Sequence, residues 1–285
     1  DLHVRSRRQR QMCIRDRKIA ESCTFNKVVN SKFNDDSLCV IWNNGPTSCE
    51  EEFLNVYEHN KNIRYHETLH NISLAKIYNE VINKYNAQVY IILDDDSSLT
   101  DTYFEAVKQI SSNEVGMPVI YYDRKIINPC INGQIYSEGI NIDANDTITT
   151  IGSGLVVGRD VASQLFKAYN SVFDERFYLY GVDTTFCFRL NKLKINDKIK
   201  IIDGFEHGLS RLERKNDKLT LFRKIERSND LALQIRYYKE KKHWFLMMVL
   251  LLASSVKKFV TFQPQQYKYS TIIKTFVKGK HERQR

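Results

Sequence analysis

Short apolar runs separated by amphipathic stretches recur along the chain from about residue 37 onward. Runs of four to six apolar residues are typical of strands buried on both faces. In the stretch between two of these runs, Leu74, Ile77 and Val81 recur at helical spacing. Strands that alternate with helices of this length predict a three-layer α/β sheet, mostly parallel. The predicted strands are 38–42, 62–65, 88–93 and 118–122, and the predicted helices are 48–57, 73–85 and 100–110.

Three consecutive carboxylates, Asp94, Asp95 and Asp96, follow the most apolar of the predicted strands. Parallel sheets bind their ligands at the carboxyl ends of the strands, so this position is favoured for a site. The mutual repulsion of three adjacent carboxylates would be offset by a divalent cation such as Mg²⁺ or Mn²⁺, which prefers oxygen ligands. The alternative is a solvated acidic turn that caps the next helix.

Three later features could contribute to the same site. Gly152 and Gly154 interrupt a strand pattern, which indicates a bulge or a close approach of the backbone to a ligand. Asp183 stands where a helix is predicted to begin, either as an acid of the first turn or as a general base. His207 ends a predicted strand, either as a structural residue or as a ligand.

The order and spacing of these features resemble family 2 glycosyltransferases of the GT-A fold, especially the rhamnosyltransferase-like branch that acts in bacterial capsule and O-antigen synthesis. The resemblance extends from about residue 18 to about residue 236. The matching segments are 71–79, 94–96, 153–154, 173–183 and 207–210.

The resemblance implies a metal-dependent, inverting sugar transfer from a nucleotide-diphosphate sugar. Asp96, with Asp94 nearby and His207 from the far side, would hold Mg²⁺ or Mn²⁺ against the diphosphate. Asp183 would take the proton from a hydroxyl of a glycan or lipid-linked acceptor. The remaining implied roles are donor binding by Asn43, Asn71, Asp94 and Asp95, and acceptor binding by Ser153 and Gly154.

Three departures from the family pattern are visible. Val182 replaces the common Glu before the catalytic acid. Asn43 replaces the acid that reads the nucleobase, although its amide oxygen could still accept a hydrogen bond from a base. The family's first strand has no apolar counterpart in residues 1–17, a stretch that resembles the translated end of a sequencing adapter. We therefore expect 1–17 to be disordered, the first strand to be missing, and a truncated GT-A domain to span 18–210.

The formal net charge of +9 invites a nucleic-acid-binding interpretation, but the charge is unevenly distributed. Residues 1–17 carry +4 and residues 211–285 carry +13, so the central 18–210 carries −8. The basic tail contains no recognised groove-reading motif. These observations disfavour a nucleic-acid partner.

The basic tail, 211–285, is predicted to be helical and to associate with a membrane. It contains an apolar run at 245–256, flanked by lysines and by Trp244. Twelve residues are too few to span a bilayer, for which about 20 are needed. Such a segment suits the anionic surface of a cytoplasmic leaflet. The alternative is a helix that packs on the protein's own core.

None of the six cysteines has the CxxC or His/Cys spacing of a zinc site. Since no secretory signal is visible, we expect reduced thiols and a cytoplasmic location. The leading hypothesis is thus a glycosyltransferase on the inner face of a bacterial plasma membrane. Two alternatives stay open: a sugar nucleotidyltransferase, and a non-catalytic nucleotide-binding or membrane scaffold with the same fold.

Overall fold

The computed structural model describes residues 8–14, 18–31, 37–207 and 221–284, and in this part of the chain a nine-stranded sheet lies between two layers of helices. The strands are β1 Arg8–Ile14, β2 Ser37–Asn43, β3 Ile63–Glu67, β4 Val89–Asp94, β5 Ser97–Ser98, β6 Val115–Tyr122, β7 Lys125–Asn128, β8 Cys130–Ile131, β9 Gln134–Ile135, β10 Ile148–Thr149, β11 Val156–Gly158 and β12 Ile199–His207. The helices are α1 Cys23–Val29, α2 Glu50–Tyr57, α3 Leu74–Lys84, α4 Asp101–Lys108, α5 Arg159–Tyr169, α6 Val182–Leu193, α7 Leu221–Tyr238, α8 Lys241–Val260 and α9 Tyr269–Lys278.

The main sheet has the order β3-β2-β1-β4-β11-β6-β12-β5, with β7 paired to β6. A three-stranded sheet, β10-β8-β9, lies beside it. Among the described strands of the main sheet, four pairs are parallel and four are antiparallel. The three layers are confirmed, but the prediction of a mostly parallel sheet is wrong. The reason is that β11 runs against both of its neighbours and that β6 turns directly into β7 without an intervening helix.

The first strand is present. Strand β1 lies between β2 and β4 and is parallel to both, with Gln11 opposite Val40 and Ile92. The prediction that this strand is missing and that its residues are disordered is therefore wrong for 8–14. Without β1, the backbone N–H and C=O groups of β2 and β4 that face it would lack hydrogen-bond partners. Strand pairing uses backbone groups, so a polar sequence can also form this strand. The adapter origin of the segment stays a prediction, and 1–7 and 15–17 lie outside the described residues.

Two apolar cores form because neighbouring residues of the central strands point to opposite faces. Val40 and Trp42 pack with α3, α5 and α6, whereas Cys39 and Ile41 pack with α1 and α4 on the other face. Side chains of Ser22, Ser73 and Thr100 accept a backbone N–H at the starts of α1, α3 and α4. Both cores therefore hold β4 firmly, and its end carries the three carboxylates.

Of the C-terminal helices, α7 packs on the α/β body and α9 packs on α7. Leu233 of α7 belongs to the first core, and the Tyr238 hydroxyl donates to Asp174 Oδ2 at 2.7 Å. Helix α9 is joined to α7 by the Thr275 hydroxyl, which donates to Asn229 Oδ1 at 2.5 Å. The predicted domain boundary at 210/211 lies outside the described residues, and α7, the helix that follows it, shares a core with the preceding domain.

Helix α8 differs from its neighbours because none of its side chains is buried. Phe245 is 82% exposed and Phe259 is 78% exposed. Tyr269 of α9 donates to the Met248 carbonyl at 3.1 Å, which holds α8 against α9. The helix has 20 residues, eight more than the apolar run, and by length and composition alone it could cross a membrane.

Candidate active site

The directions of the strands bring distant polar residues to one edge of the main sheet. Asp94 is the last residue of β4 and His207 is the last residue of β12. Both strands end at the same edge, because β12 is parallel to β6 and β11 is antiparallel to both β4 and β6. This is the edge at which α/β sheets bind ligands.

Asp94, Asp96 and His207 form a group that we call the metal group. Each offers one ligand atom, and these atoms all lie within 4.8 Å of one another. His207 Nε2 is 3.8 Å from Asp94 Oδ2, and His207 Nδ1 is 4.0 Å from Asp96 Oδ1. Two carboxylates and one imidazole suit Mn²⁺ or Mg²⁺ that also binds phosphate oxygens. The residues present therefore fit a divalent cation.

The carboxylates around the metal group repel one another. Loss of solvent around its carboxyl and the negative charges of Asp96, Asp95 and Asp183 raise the pKa of Asp94 to about 7. The repulsion from Asp183 also indicates that this residue, 89 positions later, shares the same electrostatic environment.

A layer of buried hydroxyls supports the metal group from behind. Ser97 Oγ lies 3.3 Å from His207 Nδ1 and 2.5 Å from Ser153 Oγ. Ser153 in turn accepts the backbone N–H of Asp94 at 3.2 Å. Gly154 N–H donates to the Ile92 carbonyl at 2.7 Å. These contacts fix the end of β4 and the orientation of the His207 ring.

The predicted acceptor residues Ser153 and Gly154 thus lie behind the metal group. Ser153 is completely buried, and a Cβ at Gly154 would lie 2.7 Å from the Phe205 ring. The backbone at Gly154 has a φ of +81°, which only glycine adopts easily. Neither residue lines the cavity in front of the metal group, whereas the preceding Gly152 does. Acceptor binding by this pair stays a prediction.

Asp183 lies in the first turn of α6, just after a glycine that fixes the turn. Gly181 has a φ of +80°, and a Cβ there would overlap with Asp230 and Phe177. Asp183 Oδ1 accepts the backbone N–H of Thr184 at 2.7 Å. The carboxylate stands at a helix N-terminus, as the sequence predicts, and it also faces the cavity.

A cavity of about 300 Å³ joins the carboxylates that the sequence separates. Asp94, Asp95, Asp96 and Asp183 all contribute to its lining, together with Asn71. The complete lining is Asn44, Asn71, Leu74, Tyr78, Ile92, Asp94, Asp95, Asp96, Gly152, Phe173, Tyr178, Leu179, Val182 and Asp183.

Of the predicted donor-binding residues, Asn43 is the one that does not line the cavity. It is 2% exposed, its amide nitrogen donates to the Thr47 carbonyl at 2.7 Å, and its oxygen accepts the Gly45 N–H at 3.0 Å. The adjacent Asn44 lines the cavity instead and donates to Asn71 Oδ1 at 3.3 Å. Nucleobase binding by Asn43 stays a prediction.

Asn44 and the aromatic wall of the cavity were not predicted as site residues; Tyr78, Phe173 and Tyr178 form this wall. Asn44 follows the same strand end as Asn43, so the strand-end rule could have found it. The aromatic residues carried no such signal, because apolar residues at helical or irregular spacing are indistinguishable from core residues in a sequence.

No protein-family model matches the chain, and no curated protein sequence matches it. Several solved structures share its fold. A crystal structure of GalNAc-T7 with UDP, GalNAc and Mn²⁺ is 11% identical, with a TM-score of 0.54, over 95% of this chain and 54% of that chain. The mannosyltransferase PcManGT from Pyrobaculum calidifontis, in complex with GDP-Man and Mn²⁺, is 12% identical, with a TM-score of 0.53, over 79% and 61%.

S. aureus TarS 1-349 in complex with UDP-GlcNAc is 11% identical, with a TM-score of 0.51, over 81% of this chain and 67% of that chain. The chain thus spans between about half and two thirds of the length of these structures. At such low identity the likeness establishes only that the chain shares the fold of these structures. The assignment to family 2 stays an interpretation.

Proposed function

We propose that the chain is a metal-dependent glycosyltransferase that takes its sugar from a nucleotide-diphosphate donor. The observation that carries the proposal is one cavity lined by Asp94 and Asp96 of the metal group and by the separate carboxylate of Asp183. Sugar transfer from such a donor needs charge compensation on the leaving diphosphate and a base on the acceptor. The shared fold and the Mn²⁺ and nucleotide in related structures support the proposal.

The polar residues of the candidate site have distinct parts in this proposal. Asp94, Asp96 and His207 would hold Mg²⁺ or Mn²⁺, which supplies positive charge to the departing diphosphate. Asp183 accepts the proton of the acceptor hydroxyl as that oxygen attacks the anomeric carbon. Attack from the side opposite the diphosphate inverts the configuration and needs no covalent sugar–enzyme intermediate. Asn71 and Asp95 line the space that the donor occupies.

The proposal extends to the rhamnosyltransferase-like branch of family 2 and to the synthesis of capsule or O-antigen polysaccharide. The support is the motif order in the sequence, from Asp94–Asp96 to His207. The acceptor would be a glycan or a lipid-linked sugar, which such enzymes meet at the inner face of the plasma membrane. The exposed apolar surface of α8 and the lysines at both of its ends support this location.

The substitution Asp183→Asn tests the catalytic part of the proposal. Wild-type chain is first screened by thermal shift against UDP-, GDP- and dTDP-sugars with Mn²⁺, and release of the nucleoside diphosphate is then followed with the donor that stabilises it. We expect Asp183→Asn to retain donor binding and to lose transfer by about 100-fold or more, because a general base contributes roughly 10² to 10⁴.

Asp197→Asn is the matched control, since Asp197 is exposed and does not line the cavity. Unchanged transfer by Asp183→Asn would remove this residue from the role of base. Pyrophosphate formation from a nucleoside triphosphate and a sugar phosphate would instead identify a sugar nucleotidyltransferase. Donor binding without any turnover by wild type would identify a non-catalytic nucleotide-binding protein.

A further inference from the structure

The last described residues, 281–284, return to the wall of the cavity. The His281 ring stacks on the Tyr178 ring with centroids 4.4 Å apart and an interplanar angle of 23°. The side chain of His281 is 3% exposed, so this contact is part of the protein interior. Tyr178 lines the cavity. A C-terminal residue therefore covers one face of a cavity side chain.

Glu226 of α7 anchors the returning segment. Its Oε1 accepts Arg283 Nη2 at 2.7 Å and Nε at 3.1 Å, and its Oε2 lies 3.5 Å from His281 Nε2. Burial raises the pKa of Glu226, but hydrogen bonds and positive charge from His281 and Arg283 lower it below its usual value overall. A buried carboxylate is unfavourable unless hydrogen-bonding or cationic groups contact it. Because Glu226 is only 3% exposed, its contacts with His281 and Arg283 hold both residues in place.

The same segment reaches a second residue of the wall. Arg283 Nη1 donates to the Asn71 carbonyl at 3.2 Å, and its guanidinium lies 5.2 Å from the centroid of the Tyr178 ring. The Tyr178 carbonyl accepts the Leu74 N–H at 2.8 Å, which joins the two sides of the wall. Asn71, Leu74 and Tyr178 all line the cavity, so the segment contacts two of them directly.

We propose that His281 and Arg283, anchored on Glu226, are positioning residues that hold Tyr178 and Asn71 against the sugar of the donor. This inference rests on the proposed function. With the diphosphate at the metal group and the acceptor oxygen at Asp183, the transferred sugar lies between them. Tyr178 precedes Asp183 by five residues in the same cavity-lining segment. Its ring, backed by His281, is therefore a platform for the sugar and not for the nucleotide.

Calorimetric titration of the full chain with Mn²⁺ tests the inference. The paired ligands are UDP-GlcNAc and UDP, GDP-mannose and GDP, or dTDP-rhamnose and dTDP, chosen by which donor stabilises wild type in the thermal-shift screen. We expect His281→Ala to weaken the sugar nucleotide about tenfold and to leave the nucleoside diphosphate within about twofold. Tyr178→Ala should do the same. Because His281 acts through Tyr178, the double variant should be no weaker than Tyr178→Ala alone, as a double-mutant cycle would show.

His281→Phe keeps the stacking and should recover most of the affinity even if His281→Ala folds poorly. Glu282→Ala is the matched control, since Glu282 is the exposed neighbour, and should match wild type. Unchanged sugar-nucleotide affinity in His281→Ala, additive losses in the double variant, or equal losses for both ligands would each overturn the inference. Failure of wild type to bind any of the three pairs would instead refute the proposed function, and this inference with it.

Discussion

At the scale of single residues, Asp174 links the segment before α6, which includes cavity-lining residues, to α6 and α7. Its side chain is 3% exposed and accepts hydrogen bonds from Arg176 Nε at 2.8 Å and from the Tyr238 hydroxyl at 2.7 Å. Arg189 Nη2 lies 3.7 Å away. Two hydrogen-bonding side chains and one further cation, from three parts of the chain, thus converge on one carboxylate, next to Phe173 in the cavity wall.

We expect Asp174→Asn to lower the free energy of unfolding by about 3–5 kcal/mol at pH 7, because it leaves buried cations without their counter-charge. Burial raises the pKa of Asp174. The hydrogen bonds and positive charge of Arg176, the hydrogen bond from Tyr238 and the positive charge of Arg189 outweigh burial, so the pKa lies below its usual value. The stabilisation is therefore present above the unfolded pKa, near 4, and is lost as pH falls through the lower folded pKa.

Urea unfolding of wild type and Asp174→Asn between pH 7 and pH 3.5 measures this difference, which should shrink as the solution becomes acidic. The exposed Asp203→Asn is the control and should follow wild type at every pH. A constant difference across the range would contradict the assigned charge state of Asp174.

Single residues also mark the limit of what the sequence could predict about the site. The carboxylates at 94–96, Asp183 and His207 were found, because each stands at a strand end or helix start. Asn43 and Ser153 were predicted from the family resemblance, whereas the adjacent Asn44 and Gly152 line the cavity. Which of two adjacent side chains faces the cavity depends on backbone angles that composition does not encode.

At the scale of elements, β1 provides a test of the N-terminal segment. Gln11 pairs with two strands at once, opposite Val40 and Ile92. Proline at that position removes a ladder N–H and clashes with regular pairing. We expect Gln11→Pro to lower the free energy of unfolding by about 2–4 kcal/mol in a denaturant titration. Gln11→Val keeps the strand and serves as the control. Equal stability of both variants would mean that residues 8–14 do not pair in solution.

Helix α8 leads to an equally direct expectation. Its apolar side chains are exposed and lysines flank them, so the wild-type chain should sediment with vesicles that contain anionic phosphatidylserine. Phe245→Glu with Phe259→Glu should abolish most of this binding, since both side chains are at least 78% exposed. The substitutions should leave the melting temperature nearly unchanged. Persistent binding by the double variant would exclude the α8 surface as the membrane contact.

Helices and strands could be predicted wherever the hydrophobic pattern extended over many residues. The helix predicted over 73–85 is found at Leu74–Lys84, and the strand predicted over 88–93 is found at Val89–Asp94. The short strands β7 to β10 were missed, because two to four residues are too few to show a period. Strand β1 was missed since its sequence is polar, whereas central strands of such sheets usually form apolar runs.

At the scale of the whole molecule, the chain combines an acidic α/β body with a basic C-terminal part that folds onto it. Residues 18–210 carry −8 and residues 211–285 carry +13. Helix α9 contacts α7, and the segment after α9 reaches the cavity through His281 and Arg283. The C-terminal part therefore contacts the cavity wall and also carries the exposed helix α8.

Removal of residues 239–285 should consequently impair more than membrane binding. We expect a chain that ends at Tyr238 to melt at a lower temperature and to bind the donor sugar nucleotide more weakly than wild type. The reason is that it loses α9 and both partners of Glu226. The α8 variant with Glu at 245 and 259 controls for loss of the membrane surface alone. Unchanged affinity and melting temperature in the shortened chain would show that the C-terminal part is dispensable.

The position of the C-terminal segment also affects how the protein can be handled. Gln284 donates to the Glu175 carbonyl at 3.0 Å, and Arg283 is bound to Asn71 beside the cavity. An oligohistidine purification tag fused after residue 285 would begin three residues beyond Arg283, which contacts Asn71 of the cavity wall. Its imidazoles would reach millimolar effective concentrations there and would compete with Asp94, Asp96 and His207 for Mn²⁺. A tag on this end would therefore act as a tethered chelating inhibitor, and its cleavage would register as activation.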